Sequence, residues 1–498
     1  MIRKNKHDFI ISFDKNRSHI YKQIFVSSIS ILFFINSLLN CKPPMLNGAC
    51  DPESKGFLLS LFLKASQGDP SYACSNISAS SSESLFEIKY ENDFLALTQN
   101  ETVNEILPTA SKSITRCEIT PSLPTGLIFD SITCALGGTP VSGQITKHYT
   151  ITAYHGTKET KTILGIKVLY IPKFAYAGNY TGGNISVYSI NPTSGALTNL
   201  FTRTAGGGPN SLSFTPDNRF LAVANRSSQN VNIFSVNQTN GDITLQFTEP
   251  VGLNEAIALV YHPSGNYLYV CTSLNVQTFS VNQLTGAITN IGSIVLTGGT
   301  SSVAIDPIGK FLYVSLYGAA AVAIFKISEQ AGLLSATEPP TISSGIKPRS
   351  IDILGNGKTL YVLNETDKTV NNYKIDASTG LLQAGTPLTA ATGLFPLSLN
   401  ADPKGRYVYV ANEDSNNISI FKVNQTNGSL TAEPQTTAGL TPTAITVDTS
   451  GRFVYTANFS SDNISVFTIS QETGGLTTGT PIGAGTGPTA IITMGTNP

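Results

Sequence analysis

The chain has 498 residues, more than one ordinary hydrophobic core accommodates, so we expect two or three domains. Charged residues make up only 13% of the chain, about half of the usual share of roughly 25%. Glycine is abundant, and this composition favours short strands and tight turns over amphipathic helices. Residues 41–498 hold more acidic than basic side chains, without the basic patch of a nucleic-acid-binding protein, so we predict no nucleic-acid partner.

The N-terminus has the features of an export signal. Six basic residues fall within the first 22, and an uncharged, mostly apolar run with its core at Ile24–Leu39 follows. That core is shorter than the roughly 20 residues of a membrane-spanning helix. The run ends in Ser37-Leu38-Leu39-Asn40-Cys41, which resembles a lipobox, although Asn40 stands where Gly, Ala or Ser is usual. We predict a signal peptide over 1–40, lipidation of Cys41 and a membrane-anchored lipoprotein on the periplasmic face or cell surface; an uncleaved N-terminal anchor is the alternative.

The other cysteines fit an oxidising compartment. Residues 41–80 are rich in Pro, Gly, Ser and Asn and are predicted to form a tether, within which Cys50 and Cys74 could form a disulfide. Cys117 and Cys134 lie 17 positions apart in the next predicted domain and could also pair. Cys271 lies in an apolar run and is predicted to be a buried, inert thiol.

Residues 81–170 contain several β-type runs around the segments LPTGLIFD, GGTP and YTITA. These motifs resemble the Ig-like modules of bacterial surface proteins, which implies a small β-sandwich that acts as a spacer or adhesive unit. Cys134 replaces the Gly of the module's usual turn, and Cys117 would be its disulfide partner.

Residues 171–498 repeat with a period of 45–48 residues, which is typical of propeller blades. Each repeat places one aromatic residue at the end of an alternating segment: Tyr188, Phe234, Phe279, Phe325, Tyr373, Phe421 and Phe467. The region opens on a second strand of a blade at Phe174, whereas Pro488–Thr493 matches an inner strand. We therefore predict an all-β chain in which a seven-bladed β-propeller, closed by its C-terminal strand, follows the Ig-like sandwich.

The blade pattern, DPxGRxLYVAN followed by NxISVFxI and TGxLT, resembles the bacterial lactonase propeller family, which includes the propeller type of 6-phosphogluconolactonase and the fungal carboxymuconate cyclases. The resemblance implies a site at one end of the channel, where loops of the form Gly-x-x-Pro enter the inner strands. It assigns catalytic roles to Arg349 and Glu365, with a structural ion pair as the alternative. Two loops depart from Gly-x-x-Pro and offer Glu255 and Ser301 as candidate ligand-binding residues.

Two residues of the family pattern are missing. Ser301 stands where the family has His, and Glu413 stands where it has a second Arg. Lactone hydrolysis needs a group that moves protons and a positive site for the oxyanion, so these losses predict weakened or altered chemistry.

Two functions remain open at this point. The first is an exported, lipid-anchored propeller that binds a protein, glycan or small ligand through a degenerate lactonase site. The second is a lactone hydrolase acting on an extracytoplasmic sugar or related lactone. We predict no cofactor and no metal site, because no Cys/His cluster has ligand spacing, and we predict a monomer attached to the lipid bilayer through its N-terminal lipid.

Overall fold

The structure is a computed structural model that describes residues 85–495, all of which lie in strands, turns or loops. The predicted signal peptide, the lipidation of Cys41, the tether and the Cys50–Cys74 pair lie outside the described residues. The first nine strands are β1 (Ile88–Lys89), β2 (Phe94–Thr98), β3 (Val103–Ile106), β4 (Thr109–Ala110), β5 (Arg116–Thr120), β6 (Leu127–Phe129), β7 (Leu136–Gly138), β8 (Gln144–His155) and β9 (Lys158–Leu169). Among the described residues, no helix is long and apolar enough to cross a membrane.

These nine strands form the predicted Ig-like sandwich. One sheet has the order β2-β9-β8-β5, the facing sheet has the order β3-β7-β6, and β1 pairs with β4 at the margin. Alternating apolar residues of β8, among them Tyr149, Ile151 and Ala153, point into the core between the sheets. The structure contains the predicted disulfide between Cys117 and Cys134, and both cysteines are buried in that core.

The remaining strands form seven four-stranded antiparallel blades, which confirms the predicted propeller. The inner strands are β13 (Pro209–Phe214), β17 (Ala256–Tyr261), β21 (Thr300–Ile305), β25 (Pro348–Ile353), β29 (Pro396–Ala401), β33 (Pro442–Val447) and β38 (Pro488–Gly495). The second strands are β10 (Pro172–Asn179), β14 (Phe220–Asn225), β18 (Tyr267–Thr272), β22 (Phe311–Leu316), β26 (Thr359–Asn364), β30 (Tyr407–Asn412) and β34 (Phe453–Asn458).

The third and outer strands complete each blade. The third strands are β11 (Asn184–Ile190), β15 (Asn230–Val236), β19 (Asn275–Val281), β23 (Ala321–Ile327), β27 (Thr369–Ile375), β31 (Asn417–Val423) and β35 (Asn463–Ile469). The outer strands are β12 (Leu197–Thr204), β16 (Ile243–Pro250), β20 (Ile288–Val295), β24 (Leu334–Ser343), β28 (Leu382–Ala391), β32 (Leu430–Thr437), and β36 (Leu476–Thr478) with β37 (Ile482–Gly483). All seven repeat-marking aromatics lie on third strands and are buried between blades.

Hydrogen bonds from second-strand tyrosines join neighbouring blades. In six blades the tyrosine hydroxyl donates, at 2.8–3.0 Å, to the carbonyl of the glycine in the turn before the next blade's outer strand; the donors are Tyr176, Tyr269, Tyr313, Tyr361, Tyr409 and Tyr455. The remaining blade has Ala222 at this position. Burial raises the pKa of these hydroxyls, as at Tyr409, so they remain protonated donors.

The C-terminal strand closes the ring, as predicted. β38 pairs antiparallel with β10, with Tyr176 opposite Ile492 and Ala177 opposite Ile491, and thereby supplies the inner strand of the first blade. Closure leaves no blade without an inner strand and removes an exposed sheet edge.

The sandwich packs against the end of the propeller at which the inner strands end. Lys404, in a turn that leaves an inner strand, lies 3.9 Å from Glu101, and Lys358 in the equivalent turn of the preceding blade contacts Asp93. The Thr449 hydroxyl donates to the Tyr170 carbonyl at 2.9 Å at the junction. These contacts leave the other end of the channel uncovered by the sandwich.

Candidate functional site

We call the end of the propeller where the inner strands begin the mouth. A cavity of about 930 Å³ opens there, and each of the seven blades contributes residues from two equivalent positions. One position is the residue that follows the second strand: Tyr180, Arg226, Ser273, Tyr317, Glu365, Glu413 and Phe459. The other is the second residue of the inner strand: Asn210, Ile257, Ser301, Arg349, Leu397, Thr443 and Thr489.

Backbone hydrogen bonds fix the first of these two rings. The N–H of each residue that follows a second strand donates, at 2.8–3.1 Å, to the carbonyl of the residue that precedes the inner strand of the same blade. In six blades that preceding residue has left-handed backbone geometry, including the non-glycine residues Lys347, Phe395 and Thr441. The exception is Glu255. The side chains at the mouth are therefore held by main-chain geometry that repeats around the ring.

The Gly-x-x-Pro motif has a packing explanation. In five blades a Cβ on the motif's glycine would come within 2.5–2.7 Å of the side chain of the asparagine that ends the second strand, so only glycine fits. The pairs are Gly206–Asn225, Gly345–Asn364, Gly393–Asn412, Gly439–Asn458 and Gly485–Asn179. In the two blades that depart from the motif, the second strand ends instead in Thr272 or Leu316. The motif's glycine and its partner asparagine are thus lost together in these two blades.

Glu365 is the centre of a charged cluster at the mouth. Its side chain is only 4% exposed, and its carboxylate accepts hydrogen bonds from the Tyr317 hydroxyl at 2.9 and 3.2 Å. Lys347 Nζ lies 3.4 Å from Oε1, and Arg349 Nε lies 4.0 Å from Oε2. The two cations also lie 5.5 and 5.7 Å from the centre of the Tyr317 ring. Two positive groups and one hydroxyl therefore compensate a carboxylate that would otherwise be costly to bury.

A second ion pair and a carboxylate without a partner among the described residues line the same cavity. Arg226 contacts Glu255 through Nε and Nη2, at 2.9 and 2.8 Å. Within residues 85–495, the carboxylate of Glu413 forms no ion pair or side-chain hydrogen bond. Desolvation raises the pKa of Glu413, the negative charges of Asp414 and Glu365 act in the same direction, and Arg349 opposes them.

A family model of seven-bladed β-propeller lactonases matches residues 137–257, 258–387, 386–437 and 431–491, which together span most of the chain. This chain belongs to the lactonase propeller family. A second model, described as "Putative Ig domain", matches residues 89–169. A search of functionally curated proteins finds no significant match.

Solved structures share the propeller fold. A protein from Bacteroides fragilis described as a "putative 6-phosphogluconolactonase" is 22% identical, with a TM-score of 0.60 over 65% of this chain and 98% of that one. The periplasmic gluconolactonase of Pseudomonas aeruginosa is also 22% identical, with a TM-score of 0.59 over 66% of this chain and 99% of that one. At this level of identity the likeness concerns the fold, so the activity has to be argued from the site.

In this lactonase-family propeller, the four candidate residues at the mouth line one cavity: Arg349, Glu365, Glu255 and Ser301. Glu255 and Ser301 do not occupy equivalent positions, however. Glu255 precedes its inner strand, because the loop that carries it is one residue longer than those of the other blades. Ser301 is the second residue of its strand, because Gly298 lies one position nearer to the strand than the motif's glycine does. The Ser301 hydroxyl donates to the Pro348 carbonyl at 2.5 Å and pairs with Ser315 Oγ at 2.8 Å, so it is already engaged within the protein.

The sequence motifs did not point to Tyr317, Lys347 or Arg226, which also lie at or beside the mouth cavity. The signal that could have found Tyr317 and Arg226 is the repeat itself, since both occupy the position after the second strand that Glu365 and Glu413 occupy in other blades. His262 lies outside the mouth. Its Nε2 contacts the Gly309 carbonyl at 2.9 Å, between equivalent turns of two neighbouring blades. Residues 85–495 contain no group of three or more His, Cys, Asp or Glu placed to hold a metal ion.

Proposed function

We propose that this lactonase-family chain is a binding protein for a small polyhydroxylated ligand, such as a sugar or a sugar-derived lactone, which it takes up in the mouth cavity. The observation that carries the proposal is the cavity itself. Its volume of about 930 Å³ falls within the roughly 300–1,000 Å³ of small-molecule sites.

The chemistry of the cavity wall suits a polyol. Tyr180, Phe395 and Phe459 offer aromatic surface for the C–H faces of a sugar ring. Asn210 and Thr443 already donate to backbone carbonyls, so their side-chain oxygens offer acceptors, while the cations at the mouth offer donors for hydroxyl groups. Arg349 is 37% exposed, and its guanidinium is therefore accessible to a carbonyl or carboxylate oxygen.

Lactone hydrolysis is the second candidate function, favoured by an unpaired carboxylate in the same cavity as Arg349. Water would attack the lactone carbonyl while Glu413 takes one of its protons, and Arg349 would face the resulting oxyanion. Cleavage of the ring C–O bond would then return the proton to the ring oxygen and give the open hydroxy acid. Glu365 is less suited as the base, because its oxygens already accept from Tyr317 and face two cations.

Arg349→Ala is expected to weaken ligand binding at least tenfold, because a hydrogen bond to a charged group contributes about 1.5–3 kcal/mol. Its stability should stay within about 1–2 kcal/mol of the parent, since the side chain is partly exposed. The purified full chain would be titrated with a panel of monosaccharides, aldonates and sugar lactones, and lactone turnover would be followed in parallel.

The matched control is Arg116→Ala, which removes an exposed arginine from the sandwich. Equal affinities for the Arg349→Ala variant and the parent would refute binding at the mouth. Turnover of a lactone by the parent, lost on substitution of Glu413 by Gln, would establish the hydrolase instead of the binding protein.

We further propose that the protein is exported and anchored through a lipid on Cys41, as the apolar run ending at that cysteine indicates. Cys41→Ser is expected to abolish incorporation of labelled palmitate and to release the protein from the membrane fraction. Cys271→Ser, which alters a buried thiol of the propeller, is the control and should retain the label. Undiminished labelling of the Cys41 variant would contradict the lipoprotein proposal.

A further inference from the structure

The charged groups of the mouth differ in whether they have an ion-pair partner. Arg226 is paired with Glu255, and Glu365 is compensated by Arg349 and Lys347. Glu413 lines the same cavity, and its carboxylate forms no ion pair or hydrogen bond with any residue in the range 85–495. It is therefore a carboxylate at the mouth that is left available for a ligand.

The backbone of Glu413 is fixed at the mouth. The N–H of Glu413 donates to the Phe395 carbonyl at 2.9 Å, in the same arrangement that holds Glu365 in the preceding blade. Its side chain is half-buried, so the charge is partly desolvated and interacts more strongly with a ligand than an exposed carboxylate would. Such a group accepts hydrogen bonds from hydroxyl or ammonium donors and repels phosphate.

We propose that Glu413 sets the charge preference of the mouth, so that the cavity takes a neutral or cationic polyol and discriminates against its phosphorylated form. This inference rests on the proposed binding function and deepens it by naming the class of ligand. Arg349 and Lys347 both lie within 4.0 Å of the buried Glu365, which offsets part of their positive charge, and neither forms an ion pair with Glu413. An additional anion would have to enter beside a carboxylate that has no ion-pair partner within residues 85–495, at a cost in Coulomb energy.

The test compares three ligands that share one ring: glucose, glucosamine and glucose 6-phosphate. Their affinities for the full chain would be measured by calorimetric titration, with ligand-observed NMR for weak binding. We expect the parent to bind glucosamine at least tenfold more tightly than glucose 6-phosphate. Glu413→Gln should reduce this ratio, and Glu413→Arg should lower it at least tenfold or invert it.

The control is Glu329→Arg, which makes the same charge change at an exposed turn outside the cavity and should leave the ratio unchanged. If the parent and both Glu413 variants bind these sugars with the same ratio, the inference is wrong while the binding function stands. If none of the three sugars binds the parent, the proposed function fails and this inference fails with it. Thermal melts of each variant establish that it is folded, and Glu413→Gln serves where Glu413→Arg does not fold.

Discussion

Removal of residues 488–498 is expected to unfold the whole propeller instead of fraying one blade. The deletion takes away β38, so the first blade loses its inner strand and the hydrogen-bonded ladder with β10. It also removes the buried side chains of Ala490, Ile491 and Met494 from the contact with neighbouring blades. Each fully buried apolar side chain contributes about 1.5–3 kcal/mol, and each buried backbone group left unpaired costs about 1–3 kcal/mol. The combined loss is comparable to the roughly 5–15 kcal/mol of a whole domain.

Circular dichroism melts and limited proteolysis would measure the effect. The control is a chain that lacks only residues 496–498, which keeps β38 intact because that strand ends at Gly495. A deletion variant that melts with the same midpoint as this control would show that the ring does not depend on its C-terminal strand.

Replacement of both Cys117 and Cys134 by Ala is expected to destabilise the sandwich by about 3 kcal/mol. The disulfide closes a loop of 17 residues, and constraint of the unfolded chain by a loop of that size is worth about that much in the chain-entropy model. Both cysteines also belong to the sandwich core, so their replacement removes packing as well. The propeller contains no part of this loop and should keep its own unfolding transition.

Urea unfolding under non-reducing conditions would test this prediction. A reductant should lower the midpoint of the sandwich's unfolding transition in the parent towards that of the double variant. It should leave the midpoint of the double variant unchanged. Identical midpoints for the oxidised parent and the double variant would contradict a stabilising role for the disulfide.

The sequence repeat predicted the architecture because the aromatic residue of each repeat occupies the same position, on the third strand of a blade. Tyr188 and Phe467 lie at opposite ends of the propeller sequence, yet both are buried on third strands. The closing strand could be predicted because Pro488–Thr493 repeats the pattern of the other inner strands. The disulfide could be predicted because Cys134 replaces the glycine of a recognised turn.

The cavity wall could be predicted only in part, since neighbouring blades place residues next to each other that lie about 48 positions apart. Tyr317 and Glu365 are such a pair. Their contact depends on how the ends of two second strands align in neighbouring blades, and the alternation of residues within one strand does not reveal this alignment. Glu255 was aligned with the wrong position because its loop contains one additional residue. Glu413 was recognised as a departure from the family pattern, but its lack of a partner is visible only in the structure.

A crystal structure of the full chain with glucosamine would locate the ligand and thereby test binding at the mouth. We predict electron density in the mouth cavity, with the amino or hydroxyl groups of the sugar within hydrogen-bond distance of Glu413 and the ring beside Arg349. Density for the sugar on another surface, with an empty mouth and measured binding in solution, would contradict it.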